Sequence, residues 1–423
     1  MRTSPLFLLL PLALGVHSCK VRSDVEPIPT FGDRSELGGM TPLNVKLLQG
    51  LDGIYMSDAA PFNGAIVGHG SSSAFSLFTS QDSTHVILAA GCSADRTRFL
   101  AEGHHRSATL GTGGLVRLRA IGLSARTLCA DRDTAVLSAV SFTGEYGSDN
   151  QLPNKPFTLK YKRERAGEQD FGAIAHHGAC RTIDACGVSE NSIESILRVP
   201  AYGARAVEVD VRLTKDGVPV LFHDETLTPR LVNGELCHGR VSDLPFAILR
   251  ANCTLQYGEQ IPSLQEAVDT IIASKDLRGL WVDIKETAAL APSVAILHDA
   301  ALRTSRPVKT HLWVVGLPDE ETRQAYLQIP ADKRAPCFLE LEPDDVRATG
   351  CSTWAPRWTR GASGDEVQAL KDQKIGTVMW TVNEVPFIDN YLREVKPTSM
   401  LSDRVGTVLY RRQLLLGALG DEP

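Results

Sequence analysis

The chain has 423 residues, with 44 Lys and Arg against 50 Asp and Glu, and 43% of its residues are hydrophobic. That length exceeds the roughly 250–300 residues one hydrophobic core usually serves, so two or more domains are expected. A formal net charge of −6 supplies no basic field for counterion release, which argues against nucleic acid as a partner.

The chain opens with Arg2, an apolar run at 6–16 and small or polar residues leading to Cys19, the pattern of an export leader. The run is too short to span a bilayer. VHSC at 16–19 resembles the cleavage box of bacterial lipoproteins, in which the cysteine is lipidated and becomes the first mature residue. Residues 1–19 are therefore read as leader and box, with a lipid anchor at Cys19 in a bacterial cell envelope, periplasmic or outer-membrane, and plain secretion as the alternative. Residues 20–43 mix Pro, Gly, Ser and charge without apolar periodicity and read as a tether. The other eight cysteines fall in neighbouring couples, 92 with 129, 180 with 186, 237 with 253, and 337 with 351, and no CxxC occurs. Disulfides of an exported protein fit this usage better than zinc.

From 44 to 165, short runs such as GAIVGHG, AFSLFTS, THVILAAGC, GLVRLRAIGL and TAVLSAVSF are separated by turn-forming residues. A small all-β accessory domain, sandwich or barrel, is expected. The paired His104 and His105 in GHHR lack nearby acidic or cysteine partners and read as an exposed turn. The role of this domain stays open between a binding module and a structural accessory.

From 171 to 412, β-like and α-like segments alternate. FGAIAHHG, AVEVDVRLT, VPVLFHD, GLWVDIK, HLWVVGLP, CFLELE, STWAPRWT, GTVMWTVN and SMLSD read as strands, with helical stretches such as SLQEAVDTIIAS between them. About eight strands in some 240 residues favour a TIM-type (β/α)8 barrel over an open sheet. No GxGxxG or Walker loop is present, which counts against a nucleotide fold.

The segment AVEVDVRLT, at 206–214, carries the most chemistry. Alternation puts Glu208, Asp210 and Arg212 on one face and three valines on the other. In a closed barrel the valines face the helices, so the acids point into the lumen, where two buried carboxylates are costly without a compensating cation or hydrogen bonds. An edge strand with a solvated face is the bland alternative. Around this strand, HHG at 176–178, His223-Asp224 and Asp283-Ile284-Lys285 all approach strand C-terminal ends, where barrel enzymes gather their functional groups. Glu208, Asp210 and Asp283 form a three-acid set suited to a hard divalent cation, Ca²⁺ or Mg²⁺.

These residues resemble the glycerophosphodiester phosphodiesterase family, whose pattern runs HRG, ENT, GA before ExDV, TxDG, HD, a later ExK and WTVN. The present chain shows HHG at 176–178, Glu190-Asn191-Ser192, Gly203-Ala204 before Glu208-Val209-Asp210-Val211, TKDG at 214–217, His223-Asp224, Asp283-Ile284-Lys285 and Trp380-Thr381-Val382-Asn383. The resemblance spans about 171–412. It implies that His176 and His223 are general base and acid, that Glu208, Asp210 and Asp283 hold the metal, and that Lys285 meets a phosphate oxygen. By the same resemblance, His177 and Trp380 belong to substrate binding and Glu190, Asn191, Asp224 and Asn383 to support. The implied reaction hydrolyses glycerophosphodiesters to glycerol 3-phosphate and an alcohol, with the glycerol 2-hydroxyl attacking first to give a cyclic phosphate. Two positions depart from the pattern: His177 stands where arginine is usual, and Asp283 where glutamate is usual. The alternatives are a sphingomyelinase D-like or phospholipase D-like lyase that stops at the cyclic phosphate, and a non-catalytic surface lipoprotein.

Overall fold

The computed structural model describes residues 28–80, 83–130, 140–167, 171–178, 181, 186–304 and 311–417. The leader, Cys19 and the first part of the expected tether lie outside these residues, as does Cys180.

The rest of that tether is not loose. Residues 28–43 pack on the first domain: Phe31 and Leu43 are buried, Arg34 Nη1 donates to Asn150 O at 2.8 Å, and Ser35 Oγ donates to Glu102 Oε2 at 2.6 Å. Strand β1 (Thr41–Pro42) pairs with the strand Thr84–Cys92. Sparse apolar residues hid this attachment, because the segment docks by covering a buried ion pair. Glu102 and Arg117 are both buried, and Arg117 also lies over the Phe31 ring at 4.8 Å.

Eight strands follow: β2 (Gly53–Ser57), β3 (Gly64–Gly70), β4 (Phe75–Thr79), β5 (Thr84–Cys92), β6 (Arg98–Ser107), β7 (Gly113–Ile121), β8 (Ser141–Tyr146) and β9 (Lys155–Arg163). Each pairs antiparallel with the next, and β9 returns to β2, so the sheet closes as an up-and-down barrel with few free edges. Its lumen is filled by rings, with Tyr55 5.9 Å from Phe75 and Phe99 5.4 Å from Phe142. GHHR is not the turn expected from its polarity. It lies within β6, where His104 meets the His85 ring at 6.4 Å.

The second domain is a closed barrel of eight parallel strands: β10 (Gly172–Ala175), β11 (Ala206–Leu213), β15 (Gly279–Ile284), β16 (Leu312–Leu317), β17 (Cys337–Leu339), β18 (Thr353–Trp354), β19 (Gly376–Met379) and β20 (Ser399–Ser402). β20 pairs with β10 to complete the ring. Val207, Val209 and Val211 pack under the helices, while Ile174, Trp281, Val314, Phe338 and Leu401 fill the lumen. VPVLFHD does not join the barrel. Its strand β12 (Pro219–Leu221) pairs antiparallel with the end of β11, because the TKDG turn is too short for a crossover. The loop after it builds a core of its own, with β13 (Val232–Asn233), β14 (Thr254–Leu255), Phe222, Leu231 and Leu249 around the Cys237–Cys253 disulfide. Disulfides Cys92–Cys129 and Cys337–Cys351 also form, and Cys186 is disulfide-bonded.

The two barrels share a continuous apolar contact. Phe78 enters the larger barrel's core with Ile54 and Val67 and lies so close to Gly406 that a Cβ there would meet its ring at 2.4 Å. Ser72 N donates to Asp276 Oδ2 at 2.8 Å. His85 faces Tyr202 at 5.3 Å. Burial, aided by Arg106 and His105, pushes the His85 imidazole down to about 4, so it stays neutral in the folded chain while the unfolded chain protonates near 6.5. Stability linked to His85 is therefore full above pH 6.5 and is lost as pH falls toward 4. We expect the urea midpoint to fall across that window and His85→Gln to flatten the fall; an unchanged slope in the variant would refute the linkage.

Candidate active site

All twelve residues singled out as site residues converge at the C-terminal mouth of the larger barrel. β10 ends in a tight turn at His176–Gly178. His177 adopts φ 50°, a conformation costing a residue with a Cβ about 1–2 kcal/mol, and its amide donates to Glu208 Oε2 at 3.1 Å. The turn stacks His176 on His177 at 3.6 Å and buries the His177 ring among acids. His177 Nε2 is 3.0 Å from Asp210 Oδ2 and Nδ1 is 3.8 Å from Glu190 Oε1. Burial alone would lower its pKa, but Asp210, Glu208 and Glu190 outweigh it and hold the imidazole up at about 10.

β11 and β15 are in parallel register with Asp210 beside Asp283. Glu208 and Asp210 are buried. Asn191, itself at φ 57°, clamps Asp210 twice, donating Nδ2 to Oδ2 at 2.7 Å and accepting the Asp210 amide on Oδ1 at 3.0 Å. Lys285 Nζ lies 2.8 Å from Asp210 Oδ1 and 2.6 Å from Asp283 Oδ2. Burial would raise the Asp210 pKa, yet His177 and Lys285 hold it well below the carboxylate range. Glu208 shifts upward, through burial and then Asp210, against the pull of His177 and His176.

Ligand atoms of Glu208, Asp210 and Asp283 lie within 4.8 Å of one another, and Asp283 Oδ1 is buried without a hydrogen-bond partner among the described residues. Three carboxylates with an unsatisfied buried oxygen fit a hard divalent cation, which takes oxygen ligands.

Two imidazoles flank this cluster, each held at Nδ1 by a carboxylate. His176 meets Asp403 Oδ1 at 2.7 Å, and His223, at the end of the β12 hairpin, meets Asp224 Oδ1 at 2.8 Å. Asp224 is in turn gripped by Arg230, at 2.7 and 3.1 Å. Asn383 Nδ2 donates to Asp403 Oδ2 at 2.6 Å. Trp380 lies on the cleft wall with Nε1 on Ala355 O at 2.7 Å and Arg357 over its ring at 4.7 Å. The cleft bounded by these groups measures about 640 Å³.

Sequence reasoning missed Asp403, Arg230, Arg357 and Glu340. Asp403 follows the strand SMLS directly, and its place after a strand's C-terminal end was a usable signal. Glu340 follows β17 in the same way; burial, then Asp283, pushes its carboxyl well above the usual range despite Lys285 and Arg357.

Residues 176–290 match the model of the glycerophosphoryl diester phosphodiesterase family. This part of the barrel is similar to that family. A glycerophosphodiester phosphodiesterase of Caldanaerobacter subterraneus is 36% identical over 127 residues, covering 29% of this chain and 48% of its own. Glycerophosphodiester phosphodiesterase 1 of Mus musculus is 41% identical over 127 residues, covering 28% and 35%. The chain thus spans about half or less of the length of these curated relatives. A crystal structure of a glycerophosphodiester phosphodiesterase from Parabacteroides distasonis aligns with 58% of this chain and 99% of its own, at 20% identity and a TM-score of 0.46. Trp380, Asn383 and Asp403 lie beyond the matched phosphodiesterase segment.

In chelator-treated protein, we expect nitrogen-detected NMR to find His177 still doubly protonated at about pH 8 and Asp210→Asn to lower its pKa. A neutral ring at that pH would contradict the electrostatic reading.

Proposed function

We propose that the larger barrel hydrolyses glycerophosphodiesters to glycerol 3-phosphate and an alcohol. The observation that carries this is the pair of carboxylate-held histidines on either side of a three-acid cluster, within a domain whose family segment bears the same name. Holding Nδ1 leaves Nε2 of each ring for proton transfer. His176, oriented by Asp403 and Asn383, takes the proton of the glycerol 2-hydroxyl. His223, oriented by Asp224, gives a proton to the departing alkoxide. The P–O bond to the alcohol breaks as the bond to the 2-oxygen forms, and the roles reverse when water opens the cyclic phosphate.

Glu208, Asp210 and Asp283 would hold the divalent cation, Ca²⁺ or Mg²⁺, which when bound neutralises charge on the phosphoryl oxygens. His177, whose ring the surrounding acids hold protonated in the metal-free protein, stands where the family pattern has arginine and adds positive charge on the protein side. Lys285 adds a second fixed cation. The disulfides support a site of action in an oxidising compartment, which agrees with an exported or envelope-anchored protein.

The test is release of glycerol 3-phosphate from a mixed panel of glycerophosphodiesters, with and without chelator. We expect chelator-sensitive turnover that falls by at least roughly 100-fold in His176→Ala and in His223→Ala. Asp403→Asn should lower kcat with little change in KM, because it disturbs the orientation of His176 and leaves binding groups intact. A folded, metal-loaded protein that accumulates only cyclic phosphate would move the assignment to the lyase. No turnover on any diester would sink the catalytic reading.

A further inference from the structure

Away from the acidic cluster, a second pocket lies where the two barrels meet, and the phosphodiesterase reading does not use it. It measures about 50 Å³, against the roughly 10–15 Å³ that one water requires on this scale, so it has room for a few waters or one tetrahedral oxyanion. One wall is the end of β6 with Arg106, alongside His85. The other is the start of the C-terminal helix Val405–Leu415.

Arg106 is the unusual group. It is 6% exposed, and although its backbone is paired within the sheet, its side chain makes no hydrogen bond or ion pair with another described residue. A guanidinium cannot shed its proton to escape burial, so an enclosed, unpaired one calls for an anion. The carboxylate among the described lining residues, Asp403, is already engaged by His176 and Asn383. The neighbouring ring of His85 is held neutral by burial and by Arg106 itself. Arg404 turns its guanidinium to Asn383 O and Glu384.

The opposite wall carries positive potential of a different origin. The helix Val405–Leu415 has 11 residues, no side chain among the described residues caps its first turn, and Val405, Gly406 and Thr407 line the pocket. The first-turn amides and the helix dipole make such an end a seat for anions. Gly406 lets this backbone come close to the other domain, since a Cβ there would collide with Phe78. Hydroxyl groups of Thr84, Thr407 and Tyr202 complete a polar lining.

We propose that this interdomain pocket binds a small phosphate-class oxyanion, clasped between the Arg106 guanidinium of the first barrel and the helix N-terminus of the second. The site is distinct from the acidic cluster, and its occupant ties the two barrels together. Inorganic phosphate and a phosphomonoester share the chemistry it reads.

The test uses the full chain at constant ionic strength, with inorganic phosphate and glycerol 3-phosphate titrated separately and unfolding temperature followed. Wild type and Lys285→Gln should both gain stability with phosphate, because Lys285 belongs to the other site. Arg106→Gln should weaken the apparent phosphate affinity at least roughly tenfold and Arg106→Lys should weaken it less. Stabilisation by glycerol 3-phosphate that is equally sensitive to Arg106 would identify a phosphomonoester site; loss of that arm alone would identify free phosphate. Equal phosphate response in wild type and Arg106→Gln, or none in wild type, would overturn the proposal. Should Arg106→Gln fail to fold, tungstate soaked into crystals of the unaltered chain decides: anomalous density between Arg106 and Gly406 supports the site, and density confined to the acidic cluster overturns it.

Discussion

Two carboxylates in the lumen of a closed barrel are the constraint on which the active-site end is built. Glu208 and Asp210 are both buried, and each ionised group there must meet compensating charge or lose its proton. Asp210 is compensated by His177, Lys285 and Asn191 and stays ionised, whereas Glu208 drifts upward beside it. Opposite unit charges about 4 Å apart attract by roughly 4 kcal/mol in a medium of intermediate dielectric. That is enough to hold His177 in a backbone conformation that glycine would adopt more cheaply. The stacked histidine pair, the doubled Asn191 clamp and the lysine bridge all follow from the same buried charge.

The departures from the family pattern sit inside this compensation. Replacing arginine by His177 removes a permanent cation, and the three surrounding acids restore one by raising the imidazole's affinity for a proton. Asp283 is a methylene shorter than glutamate, yet the β11–β15 register sets it directly beside Asp210, and its second oxygen still reaches Lys285. A local change of residue type is thus absorbed by the electrostatics of its neighbours.

Much of this was legible in the sequence because it rests on local periodicity. AVEVDV can bury its valines only by turning its acids inward, and the motifs before and after it mark strand ends. VPVLF misled because a short apolar strand looks the same whether it closes a barrel or folds back on the strand before it; only the four-residue turn distinguishes them. Residues 28–43 misled for the opposite reason, since they attach through two isolated buried side chains, Phe31 and Leu43, and a few polar contacts, which leave no period. Asp403 escaped notice because its partner His176 is 227 positions away, and no pattern in one sequence joins such distant residues. Arg106, whose side chain is unpaired among the described residues, is likewise visible only once two domains meet.

The two barrels differ in how far along the chain their closing contacts reach. In the first, strands β2 to β9 each pair with their sequence neighbour and β9 returns to β2, so that barrel is complete by Arg163. The second cannot close until β20 reaches β10, with Ser402 beside Ala175. Domains fold as units and N-terminal ones lead during synthesis, while distant pairings are slow. The smaller barrel therefore stands finished while most of the larger one is still being made. Phe78 is then in place as a preformed landing surface when the helix Val405–Leu415, with Gly406 in its first turn, docks after the closing strand β20.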